Sequence, residues 1–357
     1  MKRVGIVGCG DISGIYLQNL TSMFSDRLAI AGVCDFFREK AERRAAEFGV
    51  AKIYNGMDEM LADPTVDMIL NLSRPYEHFA VTEAALNAGK HVYTEKPLGA
   101  SLEEGRKLDK LAKEKGLLIG GAPDTFLGAG LQTCRRLIDS GFIGNVVGAS
   151  AFMVCRGHES WHPDPEFYYK HGGGPMMDMG PYYLTALVSL LGAVNSVTGV
   201  AKASFPTRTI TSKQKYGTVV TVDVPTHVAG VMEFENGAVG TILTTFDVFT
   251  AQVPRIEIYG SEGTLSVPDP NTFGGPVLLY RPEAGEFKEM PLMFGYGENS
   301  RGLGLYDMAK HIEEKTPFRA SGGLLLHVLE VMAGFDRAYA DKAFVTMETK
   351  PERPASL

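Results

Sequence analysis

Tryptophan occurs once in this chain of 357 residues, cysteine four times, and a basic cluster not at all. Cys9, Cys34, Cys134 and Cys155 show neither a CxxC pair nor the spacing of metal ligands. They read as small buried hydrophobes in a reducing compartment. The formal net charge of -7, with no Lys/Arg cluster, leaves no face for nucleic acid. No apolar run approaches the roughly 18 residues of a membrane span. The opening residues Met1 to Gly8 are too short and too glycine-interrupted for a secretory leader, so a cytoplasmic location is expected. There is no internal repeat and no low-complexity segment. What remains is the 45% hydrophobic and 22% charged balance of a globular protein, long enough for two domains.

The first third alternates apolar β runs with amphipathic stretches. The runs are Val4 to Val7, Leu28 to Cys34, Val66 to Leu72, Lys90 to Thr94 and Leu117 to Ile119; the stretches include Arg38 to Phe48, Tyr76 to Asn87 and Leu102 to Lys115. Strands apolar throughout, alternating with helices, imply a doubly wound parallel sheet, a Rossmann-type domain over residues 1–122. Beyond it the strand-like segments follow one another: Thr226 to Phe234, Val239 to Phe246 and Ile256 to Leu265. Turn signals separate them, among them Glu235-Asn236-Gly237 and Gly260-Ser261-Glu262-Gly263. Residues 123–357 therefore read as an α+β domain with a mainly antiparallel open sheet. Its helices are expected at Tyr182 to Leu191, Gly304 to Glu313 and Leu324 to Tyr339, and the C-terminal helices can pack back on the first domain.

Gly8-Cys9-Gly10-Asp11-Ile12-Ser13-Gly14 follows the first strand and opens a helical pattern. In that context a glycine-rich turn lets the backbone approach a pyrophosphate seated on the helix N-terminus. Ser13 replaces the third glycine of the usual fingerprint. Gly8, Cys9, Gly10, Asp11 and Ile12 are thus candidate cofactor contacts. Asp35 closes the second strand about 25 residues after Gly10, near the spacing of about 20 for a carboxylate on the adenosine ribose. It repels a 2′-phosphate and favours NAD over NADP, a preference that Arg38 close by weakens. Asp35 also suits a helix N-cap.

Glu95-Lys96-Pro97 ends the run Lys90 to Thr94. Ligands of open α/β sheets bind outside the carboxyl ends of the strands. Proline stops the strand and holds Lys96 in a turn, where its cation can polarise or deprotonate a substrate hydroxyl. Asp124 and Thr125 follow the last parallel strand, as ligands of substrate or ribose or as a turn after Pro123. The string His158-Glu159-Ser160-Trp161-His162 spells HExxH, which binds zinc only on a helix. Pro163 biases His162 away from α, so the segment reads as a loop over the substrate; His158 and His162 are candidate sugar ligands and no metal is expected.

The chain resembles the glucose-fructose oxidoreductase/inositol dehydrogenase (Gfo/Idh/MocA) family over nearly its whole length. The resemblance rests on Gly8-Cys9-Gly10, on Asn71-Leu72-Ser73-Arg74-Pro75 followed by His78, and on Glu95-Lys96-Pro97. It continues through Gly172 to Gly180 and Gly260-Ser261-Glu262-Gly263-Thr264-Leu265. The resemblance implies that Lys96 is catalytic and contacts substrate, and that Asp178 orients the substrate or the lysine. It implies that Asn71, Leu72, Ser73, Pro75, His78 and Glu95 line the cofactor, with Trp161 near the nicotinamide. His162 stands where the family often has arginine, and Tyr182 where it usually has histidine, as in branches that resemble this chain and use a tyrosine as acid/base. A phenol, with its ordinary pKa near roughly 10, needs a nearby ammonium to act as a base at neutral pH. Asp178 and Tyr182, four apart, share one helix face; Tyr182 also suits a core aromatic beside Tyr183.

The expectation is an NAD-dependent oxidoreductase acting on a secondary alcohol of a sugar, polyol or glycoside. Tyr182, Lys96 and Asp178 are the candidate catalytic residues. One alternative is a glycosidase that oxidises transiently, eliminates and re-reduces without net redox change. Another is a non-catalytic NAD- or sugar-sensing protein. A homodimer or homotetramer through the second domain's sheet is expected, with neither nucleic acid nor membrane as partner.

Overall fold

The computed structural model describes residues 1–357 and divides the chain into two compact units. The first comprises Met1–Leu127 and Asn299–Leu326, the second Gly128–Glu298 and His327–Leu357.

The first unit is built on β1 (Lys2–Val7), α1 (Ser13–Thr21), β2 (Leu28–Cys34), α2 (Arg38–Phe48), α3 (Met57–Ala62) and β3 (Met68–Asn71). It continues with α4 (His78–Asn87), β4 (His91–Thr94), α5 (Leu102–Lys115) and β5 (Ile119–Gly121). The sheet order is β2-β1-β3-β4-β5, every pair parallel. Chain order reverses direction across β1 and β3, the switch point where such sheets take their ligands. Val4, Ile6, Met68, Ile69, Leu70 and Val92 are fully buried, as strands covered on both faces require. Helix α5 shows the local code plainly. Ser101 Oγ accepts from the Glu104 amide, acids occupy the first turn, and Lys113 and Lys115 the last. Gly116 then ends it at φ 63°, a left-handed conformation that side chains disfavour.

In the second unit, α6 (Ala129–Asp139), β6 (Val146–Val154) and α7 (Pro175–Leu191) come first. Then follow β7 (Val194–Lys202), β8 (Thr207–Thr209), β9 (Val219–Thr221), β10 (His227–Phe234), β11 (Val239–Thr245), β12 (Ile256–Gly260), β13 (Thr264–Val267), β14 (Val277–Tyr280) and β15 (Phe287–Met290). Helix α8 (Leu303–Glu314) belongs to the first unit, α9 (Gly322–Asp341) is divided between the two, and β16 (Val345–Thr346) returns to the second. Nine strands form one sheet, β15-β14-β13-β12-β6-β11-β10-β7-β16; β8 and β9 pair separately. All pairs in it are antiparallel except β6 with β11, which run parallel and make the sheet mixed. Alternate residues of β10 are buried, among them Val228, Met232 and Phe234. The intervening face is open. Phe152, Val200, Ala229, Val231 and Leu243 line a groove of about 640 Å³ there.

Several expected bounds move. The helix expected from Tyr182 begins at Pro175, because proline suits the first helical position and its missing amide costs nothing there. The run from Ile256 to Leu265 is two strands joined by the turn after Gly260. Pro123–Leu127, assigned to the second domain from the sequence, lie in the first unit. No helix is long and apolar enough to cross a membrane.

Candidate active site

The glycine turn is shaped by close approach. Gly8 has φ 98°, and a Cβ there would meet the Leu72 backbone at 2.6 Å, so β1 and β3 leave the sheet in contact. A Cβ at Gly10 would meet nothing within 4 Å, which leaves the space a pyrophosphate requires above the start of α1. Ser13 is not a neutral replacement for glycine. Its Oγ donates to the Gly10 carbonyl at 2.6 Å and accepts from Arg44 Nε at 3.1 Å. Arg44 Nη2 also donates to the Gly10 and Asp11 carbonyls, so α2 clamps the turn through a residue the sequence did not single out. Burial first, then Asp35, pushes the Cys9 thiol up to about 12, so it stays protonated.

Asp35 is tied to the backbone. Oδ2 accepts from the Cys9 amide at 2.7 Å and Oδ1 from the Phe37 amide at 2.8 Å. Its carboxylate therefore holds a fixed place at the end of β2. Arg38 turns its guanidinium to Glu42 and Asn55. Phe36 between them is 94% exposed.

After β3, Asn71 is spent inside the turn rather than offered to a ligand. Its Nδ2 donates to His78 O and Thr82 Oγ1, and its Oδ1 accepts from the Ser73 amide and hydroxyl. Leu72 is buried. Pro75 opens a short 3₁₀ turn leading into α4. His78 is buried with Nδ1 2.7 Å from Pro97 O and Nε2 3.0 Å from Ser73 O. Burial lowers its pKa, against the two carbonyls that favour the charged ring. His78 thus joins the turn after β3 to the turn after β4.

That second turn carries Lys96. Glu95 is buried; Oε1 accepts from the Tyr16 hydroxyl at 2.7 Å and Oε2 from the Lys96 amide at 3.0 Å. The Glu95 amide donates to Asn71 O. The backbone at Lys96 is therefore fixed from α1, β3 and α4 together, while its side chain is half-buried. Burial raises the Tyr16 pKa well above the ordinary value, so it remains the donor. Thr125 is buried in a 3₁₀ turn.

Asp124 departs from expectation. It is 1% exposed, and Oδ2 accepts from the Gly302 and Gly304 amides at 2.9 and 3.0 Å. It caps the N-terminus of α8, where a buried carboxylate finds helix amides.

Helix α7 carries Asp178 in its first turn and buried Tyr182 one turn later. Pro181 between them removes one helix amide, and the helix continues because its packed residues from Tyr182 to Leu191 are all buried. Asp178 Oδ2 lies 3.3 Å from His158 Nε2, so the structure brings these two residues together. The HExxH string is a tight turn, with the Trp161 and His162 amides both returning to His158 O. His162 Nδ1 accepts from the Asp164 amide. Trp161 is 61% exposed. Glu159 is consumed by Tyr169 Oη and Arg208 Nε, each at 2.5 Å. Arg208 also reaches Asp247 Oδ1, Arg156 O and Phe246 O. This buried network anchors the loop, and Arg208 was not legible from the sequence because its partners lie far along the chain.

Residues 2–121 match the family model described as "Oxidoreductase family, NAD-binding Rossmann fold", and residues 131–266 match the model "GFO/IDH/MocA C-terminal domain". The D-xylose dehydrogenase of Paenarthrobacter nicotinovorans is 28% identical over 265 residues, 71% of this chain and 66% of that protein. The matched stretch thus spans about two thirds of that relative. Among solved structures, an NAD-binding oxidoreductase from Klebsiella pneumoniae superposes with a TM-score of 0.83 at 22% identity, covering 97% of this chain and 98% of its own. A levoglucosan dehydrogenase in complex with NADH gives 0.82 at 19% identity, covering 98% and 99%. These likenesses are of fold.

Proposed function

The chain belongs to the Gfo/Idh/MocA family of NAD-binding oxidoreductases, and from that premise we propose that it oxidises or reduces a secondary alcohol of a sugar, polyol or glycoside by hydride transfer to or from NAD. Gly8 to Ser13 receive the pyrophosphate at the start of α1, and the anchored Asp35 takes the ribose and disfavours NADP. In the oxidative direction the carbon gives hydride to the nicotinamide. Tyr182, its phenolate favoured by the Lys96 ammonium, takes the hydroxyl proton, and Asp178 holds the geometry.

The observation that carries this reading is Asp178 and Tyr182 one turn apart on α7, with His158 on the Asp178 carboxylate. Xylose oxidation by a relative named D-xylose dehydrogenase supports a sugar as substrate class. The test is NADH formation over a panel of sugars and glycosides, with aglycone release followed in parallel. Tyr182→Phe and Lys96→Ala should each lower turnover roughly a hundred- to ten-thousand-fold while NAD binding persists. Unchanged turnover in both variants ends this assignment. We further propose that the open groove face of the second unit, with apolar Val231 and Leu243 in its lining, joins copies of the chain in a homodimer or homotetramer.

A further inference from the structure

His158 has a chemical state set by its neighbours. Nε2 faces the Asp178 carboxylate at 3.3 Å, whereas Nδ1 is buried without a hydrogen-bond partner. An ionised carboxylate only accepts, so in the neutral ring the hydrogen belongs on Nε2 and Nδ1 keeps its lone pair. A buried acceptor lacking a donor is unfavourable until a ligand or water supplies one. The backbone that carries the ring is held in place. Glu159, its chain neighbour, is fixed by Arg208 and Tyr169, and the Tyr169 hydroxyl also bonds the His158 backbone.

Three aromatic rings enclose the imidazole: Tyr168 with centroids 4.2 Å apart, Phe246 at 4.8 Å and Trp161 at 5.3 Å. Phe246 is fully buried, whereas Trp161 is 61% exposed. Trp161 is therefore the wall that can shift without opening the core. An aromatic face beside a single oriented acceptor is the combination that recognises a sugar ring, which offers C–H faces and hydroxyl donors together.

We propose that His158 Nδ1 accepts a hydrogen bond from one substrate hydroxyl, with Trp161 moving to stack on the sugar's C–H face. This deepens the sugar-oxidising function given above and rests on it. The consequence is selectivity: the site demands a donor at one substrate position and disfavours the deoxy or O-methyl counterpart there, because Nδ1 then stays unpaired. Asp178 acts on this contact by holding the tautomer.

The test uses full-length protein loaded with NADH, so that an alcohol binds without turnover. The probes are methyl β-D-glucopyranoside, methyl β-D-xylopyranoside and myo-inositol with their monodeoxy analogues, followed by calorimetry. In parallel, ¹⁵N spectra of imidazole-labelled protein are recorded, with the His158 signal identified by its loss in the variants. The expected result is an Nε2–H tautomer whose Nδ1 resonance moves on probe binding. One deoxy analogue should bind roughly three- to tenfold more weakly, the range of one neutral hydrogen bond.

Two substitutions separate the parts of the ring. His158→Asn keeps an acceptor near the Nδ1 position and should retain the preference. His158→Gln keeps a group near Nε2, hence the Asp178 contact, and should lose it. Retention of the preference in His158→Gln, or an Nδ1–H tautomer, overturns the proposal alone. Failure of every probe to bind wild-type protein overturns it together with the sugar-oxidising function.

Discussion

Replacing Asp124 by asparagine should stabilise the first unit, and only above mildly acidic pH. Burial raises this carboxyl from its ordinary 3.8 to about 6, although the Gly304 and Gly302 amides and Arg301 pull the other way. The folded state therefore binds the proton more tightly than the unfolded chain. Below about pH 3 both states are protonated and Asp124 carries no penalty. As pH rises toward 6 the unfolded chain ionises freely and the folded one does not, so stability falls through that window and is level beyond it. At 1.36 kcal/mol per pH unit, the displacement corresponds to about 3 kcal/mol. Asparagine keeps an acceptor oxygen for the Gly302 and Gly304 amides without the charge. The stability of Asp124→Asn minus that of wild type, from urea unfolding at a series of pH values, should rise by about 3 kcal/mol between pH 3 and pH 7. A difference that stays flat, or that falls with pH, refutes the argument and shows a carboxylate already well compensated by the helix amides.

Gly8→Ala should weaken NAD binding by an order of magnitude or more and lower stability by about 2 kcal/mol or more, read by calorimetry and thermal unfolding, since its Cβ would overlap the Leu72 backbone. Arg208→Met should cost about 3–5 kcal/mol in urea unfolding by stranding Glu159 and Asp247, and adding Glu159→Gln and Asp247→Asn should recover part of it. On the proposal that the open face joins copies of the chain, paired Val231→Lys and Leu243→Arg should lower the mass seen in light scattering with the fold intact by circular dichroism, and an unchanged mass refutes it.

Much of the first unit was legible because its information is local. Helices Arg38–Phe48 and Leu102–Lys115 match their expected bounds because Gly49 and Gly116 end them where the apolar pattern stops. The second unit was less so. Nothing in β6 or β11 announces that they pair in parallel, because pairing partners are chosen across the fold. The site divides in the same way. Lys96, Asp178 and the glycine turn stand out by residue type and position. The residues that hold them, Tyr16, Arg44 and Arg208, have partners many residues distant, and nothing in their own neighbourhood marks them. Asp124 and Asn71 show how such side chains can be occupied within the fold. Polar residues at strand ends look like ligand contacts, but two amides of α8 and the turn before α4 claim them first.

The capping of α8 by Asp124 also has a consequence for biosynthesis. The two amides that satisfy this carboxylate lie 178 and 180 residues downstream. A ribosome adding roughly 5–20 residues per second delivers them about ten to forty seconds later. Throughout that interval the nascent nucleotide-binding unit holds its strands but lacks the helix that finishes it, so a fragment ending at Leu127 stays incomplete however long it waits.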